Sequence, residues 1–225
     1  MSHSIGQCGM QDMAKPTHGE GDGIKEQYRC YLIAYNVSKK HNIGTILRCA
    51  TAFNVTSVCL VGSRQFNSFG SHGSDAHVHM LHFESLDVCC QELKSQHGVS
   101  EILGIEIDDS AVAVQSHPFI GHTAFMLGNE GQGLNEKQMR LCDRFVYIPQ
   151  HGVGTASLNV AVATSIVLHH FALWAGYPER SRTGQKYDVA EVKGPRTAPR
   201  GMVPYTEEEL VELREQRKKK KMLPE

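Results

Sequence analysis

The chain has 225 residues, of which 40% are hydrophobic and 21% are charged, and its formal net charge is −1. This length and composition predict one soluble globular domain with room for tails. A nearly neutral chain has no overall attraction to nucleic acid, so any affinity for RNA has to come from local patches of charge.

The seven cysteines include no CxxC pair, and the N-terminus has no apolar signal segment, which argues against a disulfide framework and for a reducing compartment. The adjacent Cys89 and Cys90 are interpreted as packing residues. The most apolar stretch, 156–175, contains Ser, Asn, Thr and two His residues, so no membrane span is predicted. We expect an intracellular protein, with the cytoplasm favoured, although the basic C-terminus would also suit a nuclear protein.

The N-terminal third predicts a leader, a strand and a helix in that order. Residues 1–25 are rich in Gly, Ser, His and Gln without hydrophobic periodicity, which predicts a disordered leader. Residues 28–37 have the aromatic and β-branched content of a buried strand. Apolar residues then recur at helical spacing over 42–53, so we expect a helix with Asn42 at its N-cap or in the preceding loop.

A second strand is predicted at 55–62, and a histidine-rich span follows it. The four histidines are His72, His77, His79 and His82. A zinc site is disfavoured because no H-x₃₋₅-H pair has a cysteine partner and no acidic fourth ligand is suitably placed. Positions 77 and 79 also alternate as they would in a strand, so no metal is expected.

Strand and helix signals alternate through the rest of the core. An amphipathic helix is predicted at 84–97, strands at 100–108, 121–128 and 144–149, and a short helix at 135–143. Such alternation with short connections predicts an α/β fold, in which a parallel sheet has helices on both faces. Sheets of this kind bind ligands at the carboxyl ends of their strands.

The most informative stretch is the glycine-rich loop HGVGTASLN at 151–159 and the helix that follows it. The helix is apolar on nearly every face and therefore has to be buried. Its start carries Thr155, Ser157 and Asn159, whereas a structural helix needs one N-cap. This surplus of polar groups indicates a site. The alternative is that Ser157 caps the helix and Asn159 satisfies neighbouring backbone.

A second glycine-rich loop, GNEGQG at 128–133, follows a predicted strand. Gly128, Gly131 and Gly133 lack the G-x-G-x-x-G spacing, which disfavours a Rossmann dehydrogenase. Glycines do allow the backbone to approach a ligand closely, and Glu130 adds one charge to the loop. The alternative is a plain turn in which Glu130 is solvated.

Three stretches in this order, NIGTILRCATAF at 42–53, FMLGNEGQGL at 125–134 and the loop and helix at 151–174, resemble the motifs of the SPOUT class of methyltransferases. The resemblance is to the branch that methylates the ribose 2′-hydroxyl of tRNA and rRNA, and it covers about residues 28–176. It implies a SPOUT domain at 26–178 with a C-terminal trefoil knot, S-adenosylmethionine as the cofactor, RNA as the partner with tRNA favoured, and a homodimer. The knot is implied by the resemblance alone, because chain connections rarely thread.

The resemblance also implies roles for individual residues. Arg48 stands where the family has the residue assigned to the 2′-hydroxyl; without the motif it would be interpreted as a solvated helix residue. A guanidinium is almost always protonated, so we expect Arg48 to activate and position the hydroxyl, and a role as base stays open. The implied catalytic set is Asn42, Arg48, Glu130, Ser157 and Asn159.

The second and third motifs are implied to hold the cofactor, largely through main-chain contacts. The residues implied are Leu127, Gly128, Asn129, Gly131, Gly133, Ile148, Ser157 and Leu158. The loop 63–76, which contains Arg64, resembles the family segment that faces the RNA. Two rival functions stay open: an RNA-binding protein that retains the fold without turnover, and a SPOUT enzyme that methylates a base nitrogen.

The C-terminal residues differ from the core in character. Residues 179–204 combine Gly, Pro and charge without periodicity, which predicts a linker or a wrapping arm. Residues 205–225 predict a helical basic tail that opens with a Thr206–Glu209 capping box. An electrostatic RNA arm, a helix end favoured by the dipole and a nuclear address are the three interpretations. The arm would bind RNA through Lys218, Lys219, Lys220 and Lys221.

Overall fold

The structure is a computed structural model that describes residues 27–35, 37, 40–191 and 201–222, with only the backbone described for 40–41 and 217–222. The predicted leader, 1–25, lies outside the described residues. The helices are α1 (Lys40–Ala52), α2 (Leu86–Ser95), α3 (Glu136–Leu141), α4 (Val160–Trp174) and α5 (Glu207–Met222). No helix in the described part of the chain is long and apolar enough to cross a membrane.

The described residues form nine strands. They are β1 (Cys30–Tyr35), β2 (Ser57–Val61), β3 (Met80–Phe83), β4 (Glu101–Ile105), β5 (Val112–Ala113), β6 (Thr123–Leu127), β7 (Arg144–Tyr147), β8 (Arg182–Thr183) and β9 (Lys186–Tyr187). The long strands lie within the ranges predicted from the sequence. The sequence pattern does not reveal β3, β5 or the hairpin β8–β9, because strands of two to four residues that are exposed or only partly buried show little alternation.

Seven of the strands form one sheet in the order β3-β2-β1-β6-β4-β7-β5, and every neighbouring pair is parallel. Successive residues of a strand point to opposite faces, so Leu32 packs with α1 and α4 while Ile33 packs with α2. Helices thus cover both faces, which explains why β2 and β6 are buried along their whole length. The predicted α/β parallel sheet is confirmed, and the trefoil knot stays a prediction.

The strand order brings four strand ends together. In the sheet β6 lies between β1 and β4, and β7 pairs with the other side of β4. Because all four strands are parallel, their carboxyl ends lie at one edge of the sheet. The segments that leave this edge contain α1, the glycine-rich loop after Leu127, and the loop that leads from Tyr147 into α4. All three sequence motifs therefore meet there.

The observed helix starts correct the prediction for Asn42 and decide between two candidate N-caps of α4. Helix α1 begins at Lys40, so Asn42 lies in its first turn and is neither an N-cap nor a loop residue. Apolar periodicity marks only the buried stripe of a helix, so it does not register polar residues of the first turn. Asn159 is the N-cap of α4, accepting from the N–H groups of Ala161 at 2.9 Å and Val162 at 3.4 Å. Ser157, the alternative cap, is exposed two residues earlier.

The C-terminal segment returns to the sheet domain before its helix begins. The Phe66 N–H donates to the Gly201 carbonyl at 2.8 Å, and the Val203 N–H donates to the Arg64 carbonyl at 3.0 Å. Val203 inserts into the hydrophobic core and is only 1% exposed. Residues 201–206, called here the docking segment, therefore hold the start of α5 against the loop at 63–66.

Candidate active site

A pocket of about 230 Å³ lies at the carboxyl edge of β4, β6 and β7, beside the start of α4. Leu127, Ile148 and Leu158 form part of its wall, and the residues of the glycine-rich loop form another part. The lining includes every residue that the resemblance assigns to a cofactor, namely Leu127, Gly128, Asn129, Gly131, Gly133, Ile148, Ser157 and Leu158. Three separate segments of the chain thus combine into one cavity.

The glycine-rich loop is closed by its own backbone. The N–H of Asn129 donates to the Gly133 carbonyl at 2.8 Å, and the N–H of Gly133 donates back to the Asn129 carbonyl at 2.9 Å. A Cβ on Gly128 would lie 2.8 Å from the carbonyl carbon of Gly133, and Gly133 itself has a φ of +68°. Glycine is therefore required at Gly133, where the closure ends, and at Gly128, which directly precedes it. The closed loop presents main-chain groups to the pocket in a fixed arrangement.

Beside the pocket, three side chains from the three motifs form a hydrogen-bonded chain. The Asn42 amide donates to the Glu130 carboxylate at 2.6 Å, and the Asn159 amide donates to the Asn42 carbonyl oxygen at 3.1 Å. Asn42 is 7% exposed, so both polar ends of its amide are satisfied inside the protein. The structure thus brings together three of the five predicted catalytic residues, and the bonds link α1, the glycine-rich loop and the start of α4.

The other two predicted catalytic residues lie apart from this chain. Arg48 is exposed on α1 and does not line the pocket. It lies six positions after Asn42 on the helix, a rise of about 9 Å along the axis. Ser157 is also exposed, and it lines the pocket. Arg48 is therefore open to solvent, whereas Ser157 borders the cavity.

Arg64 is bound to the C-terminal region of its own chain. Its guanidinium donates to the Pro204 carbonyl at 2.8 Å, pairs with the Glu209 carboxylate and lies over the Tyr205 ring at 4.2 Å. The side chain is 12% exposed. Two of its donors are thus used within the protein, and RNA contact by Arg64 stays a prediction.

The contact with Arg64 also affects the carboxyl group of Glu209. Partial burial alone would raise the pKa of Glu209, but hydrogen bonds from Arg64 and from the Thr206 N–H outweigh that effect and hold its pKa below the ordinary value. The predicted capping box is present, with Thr206 and Glu209 bonded reciprocally at 2.8 and 3.2 Å. The side chains of Lys218, Lys219, Lys220 and Lys221 lie outside the described residues, so their role stays a prediction.

Some residues of the site are not among those predicted from the sequence. Glu106, Tyr147, Gln150 and Thr164 also line the pocket. Glu106 is the first residue after β4, so its position at the carboxyl end of a predicted strand was the available signal. The histidines of the 72–82 span have structural contacts: His79 bonds Ser57 at 2.9 Å, and His82 bonds the Gly62 carbonyl at 2.7 Å. Within the described ranges, no three potential ligands cluster as a metal site would require.

Comparison with known proteins gives a family and several relatives. A model of the SpoU rRNA Methylase family matches residues 29–169. The tRNA (guanosine(18)-2′-O)-methyltransferase of Escherichia coli strain K12 is 30% identical over 136 residues, which cover 59% of this chain and 58% of that protein. The 23S rRNA (guanosine-2′-O-)-methyltransferase RlmB of Acinetobacter baylyi is 28% identical over 138 residues, or 59% of this chain and 55% of that protein. The match therefore spans little more than half the length of these relatives.

Solved structures share the fold. The TrmH/SpoU tRNA modifying enzyme of A. aeolicus superposes with a TM-score of 0.58 at 20% identity, covering 88% of this chain and 93% of that one. The SpoU methyltransferase AviRb of Streptomyces viridochromogenes, in complex with the cofactor AdoMet, gives a TM-score of 0.57 at 23% identity, covering 67% and 61%. At these identities the likeness concerns the architecture of the domain.

Proposed function

We propose, because the chain belongs to the SpoU rRNA methylase family, that it transfers a methyl group from S-adenosylmethionine to a ribose 2′-hydroxyl of RNA. The observation that carries the proposal is the assembly of three motifs at one sheet edge, with a pocket beside the Asn42–Glu130–Asn159 chain. The names of the two relatives support the ribose 2′-oxygen as acceptor. We favour tRNA as the substrate, with rRNA as the alternative. We also propose an intracellular location, where these RNAs are found.

The pocket suits the proposed cofactor in shape and in charge. Ile148 and Leu158 offer apolar surface to an adenine ring, and the glycine-rich loop offers main-chain groups to the polar parts. Glu106 and Glu130 are the charged residues of the described lining, which contains no basic side chain. A cavity of this charge favours a cationic sulfonium ligand. When bound, that cofactor supplies the activated methyl group.

The protein's tasks in this reaction are to align the two reactants and to assist loss of the hydroxyl proton. Arg48 faces the solvent, where its guanidinium can fork onto an RNA phosphate and orient the adjacent ribose. Asn42 connects the helix that carries Arg48 to the loop that borders the cofactor pocket. In the proposed mechanism this connection keeps the methyl group of the cofactor aligned with the ribose hydroxyl. The proton of the hydroxyl leaves toward the phosphate or solvent.

A homodimer is part of the proposal. On α4, Val162 is 46% exposed and Leu173 is 58% exposed, although the helix is apolar on nearly every side. Residues 151–157, which lead into α4, are also exposed, including the apolar Val153. A second copy that covered this surface would bury these apolar groups. The second copy could also add an RNA-binding surface beside the pocket. Arg48 of the first copy is exposed and does not line that pocket.

The basic end of α5 is proposed as an electrostatic RNA arm. Six positive residues, Arg214, Arg217 and Lys218 to Lys221, follow one another closely in a chain whose net charge is −1. The docking segment fixes the start of this helix beside the loop at 63–66. The arm would contact phosphates without sequence preference and so strengthen binding of any RNA.

Two measurements test the proposed function. Calorimetry with S-adenosylmethionine and with S-adenosylhomocysteine should show binding by the folded protein. Nucleoside mass spectrometry of tRNA and rRNA pools incubated with protein and cofactor should then show a 2′-O-methylated nucleoside. Methylation of a base instead, or RNA binding without methylation of any nucleoside, would contradict the proposal.

A further inference from the structure

We infer that Glu106 is the residue that recognises the ribose diol of the cofactor's adenosine; this inference rests on the proposed function. Glu106 follows β4 directly, at the sheet edge where the neighbouring β6 runs into the glycine-rich loop. It lines the pocket and is half-buried. None of the three sequence motifs contains it.

The carboxylate of Glu106 is held by main-chain donors. One oxygen accepts from the Leu134 N–H at 2.7 Å, and the other accepts from the Ile107 N–H at 2.9 Å. An ionised carboxylate has about four lone-pair positions, so each oxygen keeps capacity for a further donor. The two N–H groups fix the plane of the carboxylate, which then offers two acceptors at a set spacing to a ligand.

The glycine-rich loop leaves room for this carboxylate. Any Cβ on Gly133 would collide with an oxygen of Glu106. The glycine at 133 therefore serves the carboxylate as well as the loop closure. If capping the Leu134 N–H were the only need, a neutral acceptor would do so with a smaller desolvation cost than a half-buried anion.

A vicinal diol is the ligand chemistry that fits this arrangement, because its two hydroxyl donors match the two oxygens of one carboxylate. The hydrogen bonds of the glycine-rich loop also distinguish the two ends of the pocket. Glu130 is bonded to Asn42 on α1, the helix that carries Arg48, whereas Leu134 is bonded to Glu106 after β4. The sulfonium that carries the methyl group has to lie toward the α1 end of the pocket. The adenosine part of the same cofactor therefore lies at the Glu106 end.

The test is calorimetry of wild type, Glu106→Gln and Glu106→Asp with two ligands, S-adenosylhomocysteine and its 2′-deoxy analogue. Asp108→Asn is the matched control, because Asp108 is a nearby carboxylate that bonds Ser110 and does not line the pocket. For the natural ligand, Glu106→Gln should weaken binding about ten- to a hundredfold, as expected for a hydrogen bond to a charged group. For the deoxy analogue, the same substitution should change binding by less than about threefold.

Equal losses for the two ligands would mean that Glu106 only supports the loop, and would overturn the inference. The comparison also works with wild type alone, which should bind the deoxy analogue at least about tenfold more weakly than the natural ligand. Wild type that does not distinguish the two ligands overturns the inference even if the variants fail to fold. Wild type that binds neither ligand contradicts the proposed function itself, which is a separate result.

Discussion

At the scale of single residues, Asn42 connects the two sides of the candidate site. It is buried, and its amide donates to Glu130 while its carbonyl accepts from Asn159. A buried polar group that loses one partner destabilises the protein by about 1–3 kcal/mol, so these bonds fix the position of Asn42. Arg48 shares the helix with Asn42 but is exposed. In the proposed function it would contact the RNA, while Asn42 supports the glycine-rich loop.

Replacement of Arg48 by alanine should abolish methylation without loss of cofactor binding. Arg48 lies outside the pocket, so affinity for S-adenosylhomocysteine should stay within about threefold of wild type by calorimetry. The rate of RNA methylation should fall about a hundredfold or more, as for other groups that assist proton transfer. Arg48→Lys keeps the charge but not the planar fork, and serves as the matched variant. A near-normal rate for Arg48→Ala would remove Arg48 from the catalytic assignment.

A pair of substitutions at Asn159 should separate its two roles. Serine can still cap α4 but is too short to reach Asn42, whereas alanine does neither. Both substitutions leave the buried Asn42 carbonyl without its Asn159 donor, so both should lower the free energy of unfolding by about 1–3 kcal/mol. Asn159→Ala should lower it by about 1 kcal/mol more than Asn159→Ser, because it also removes the cap. Both should weaken binding of S-adenosylhomocysteine, measured by calorimetry. If Asn159→Ser bound the ligand as wild type does, the bond to Asn42 would have no part in holding the site.

At the scale of elements, the docking segment and α5 form one unit attached to the loop at 63–66. Val203 is inserted in the core, two backbone hydrogen bonds join the segments, and Arg64 contacts Pro204, Tyr205 and Glu209. Residues 201–204, the end of the predicted linker or wrapping arm at 179–204, are bound to the domain, and residues 192–200 lie outside the described residues. The helix that follows thus starts from a fixed point.

Truncation of the chain after Glu212 should weaken RNA binding at low salt and leave cofactor binding unchanged. It removes Arg214, Arg217 and Lys218 to Lys221 but keeps the docking segment. The affinity falls as salt rises, so the slope of log affinity against log salt is negative. Each RNA phosphate that the protein no longer neutralises should decrease the magnitude of this slope by about 0.7 to 0.9. The control is a full-length chain with Lys218 to Lys221 changed to glutamine, which should flatten the slope without shortening the helix. An unchanged slope in both variants would leave the basic end to localisation or solubility.

At the scale of the whole molecule, one parallel sheet gathers the pocket and the hydrogen-bonded chain at a single edge, and α4 stands beside it with an exposed apolar side. Helix α4 buries Val167 and Phe171 against the sheet, while Val162 and Leu173 on its other side remain exposed. That exposed side is the surface proposed for a second copy.

Sedimentation should give a dimer at micromolar concentration. Leu173→Asp places a charge on the exposed apolar side of α4 and should shift the protein toward monomer, because burial of an unpaired charge is costly. Val88→Asp is the matched control: Val88 is 51% exposed on α2, across the sheet from α4. A wild-type monomer under these conditions would contradict the proposed homodimer.

Local patterns in the sequence determined the class of fold and marked the two loops that line the pocket, whereas the resemblance supplied the individual site residues. The periodicity of buried side chains predicts β1, α1, β2, β4, β6 and α4, because each element has to bury one stripe or two faces. Glycine spacing and polar groups at loop-to-helix junctions predict the two loops that line the pocket. The resemblance supplied the role of Arg48, which a periodic pattern alone would treat as a solvated residue.

Only the tertiary structure decided which of these residues touch. Asn42 meets Glu130 across 88 positions and Asn159 across 117, and Arg64 meets Glu209 across 145. These contacts depend on the insertion of β6 between β1 and β4 and on the return of the docking segment, and neither is encoded in a local period. Glu106 lines the pocket, and Arg64 contacts the C-terminal segment, for the same physical reason. Strand order and long-range packing determine which residues are their neighbours.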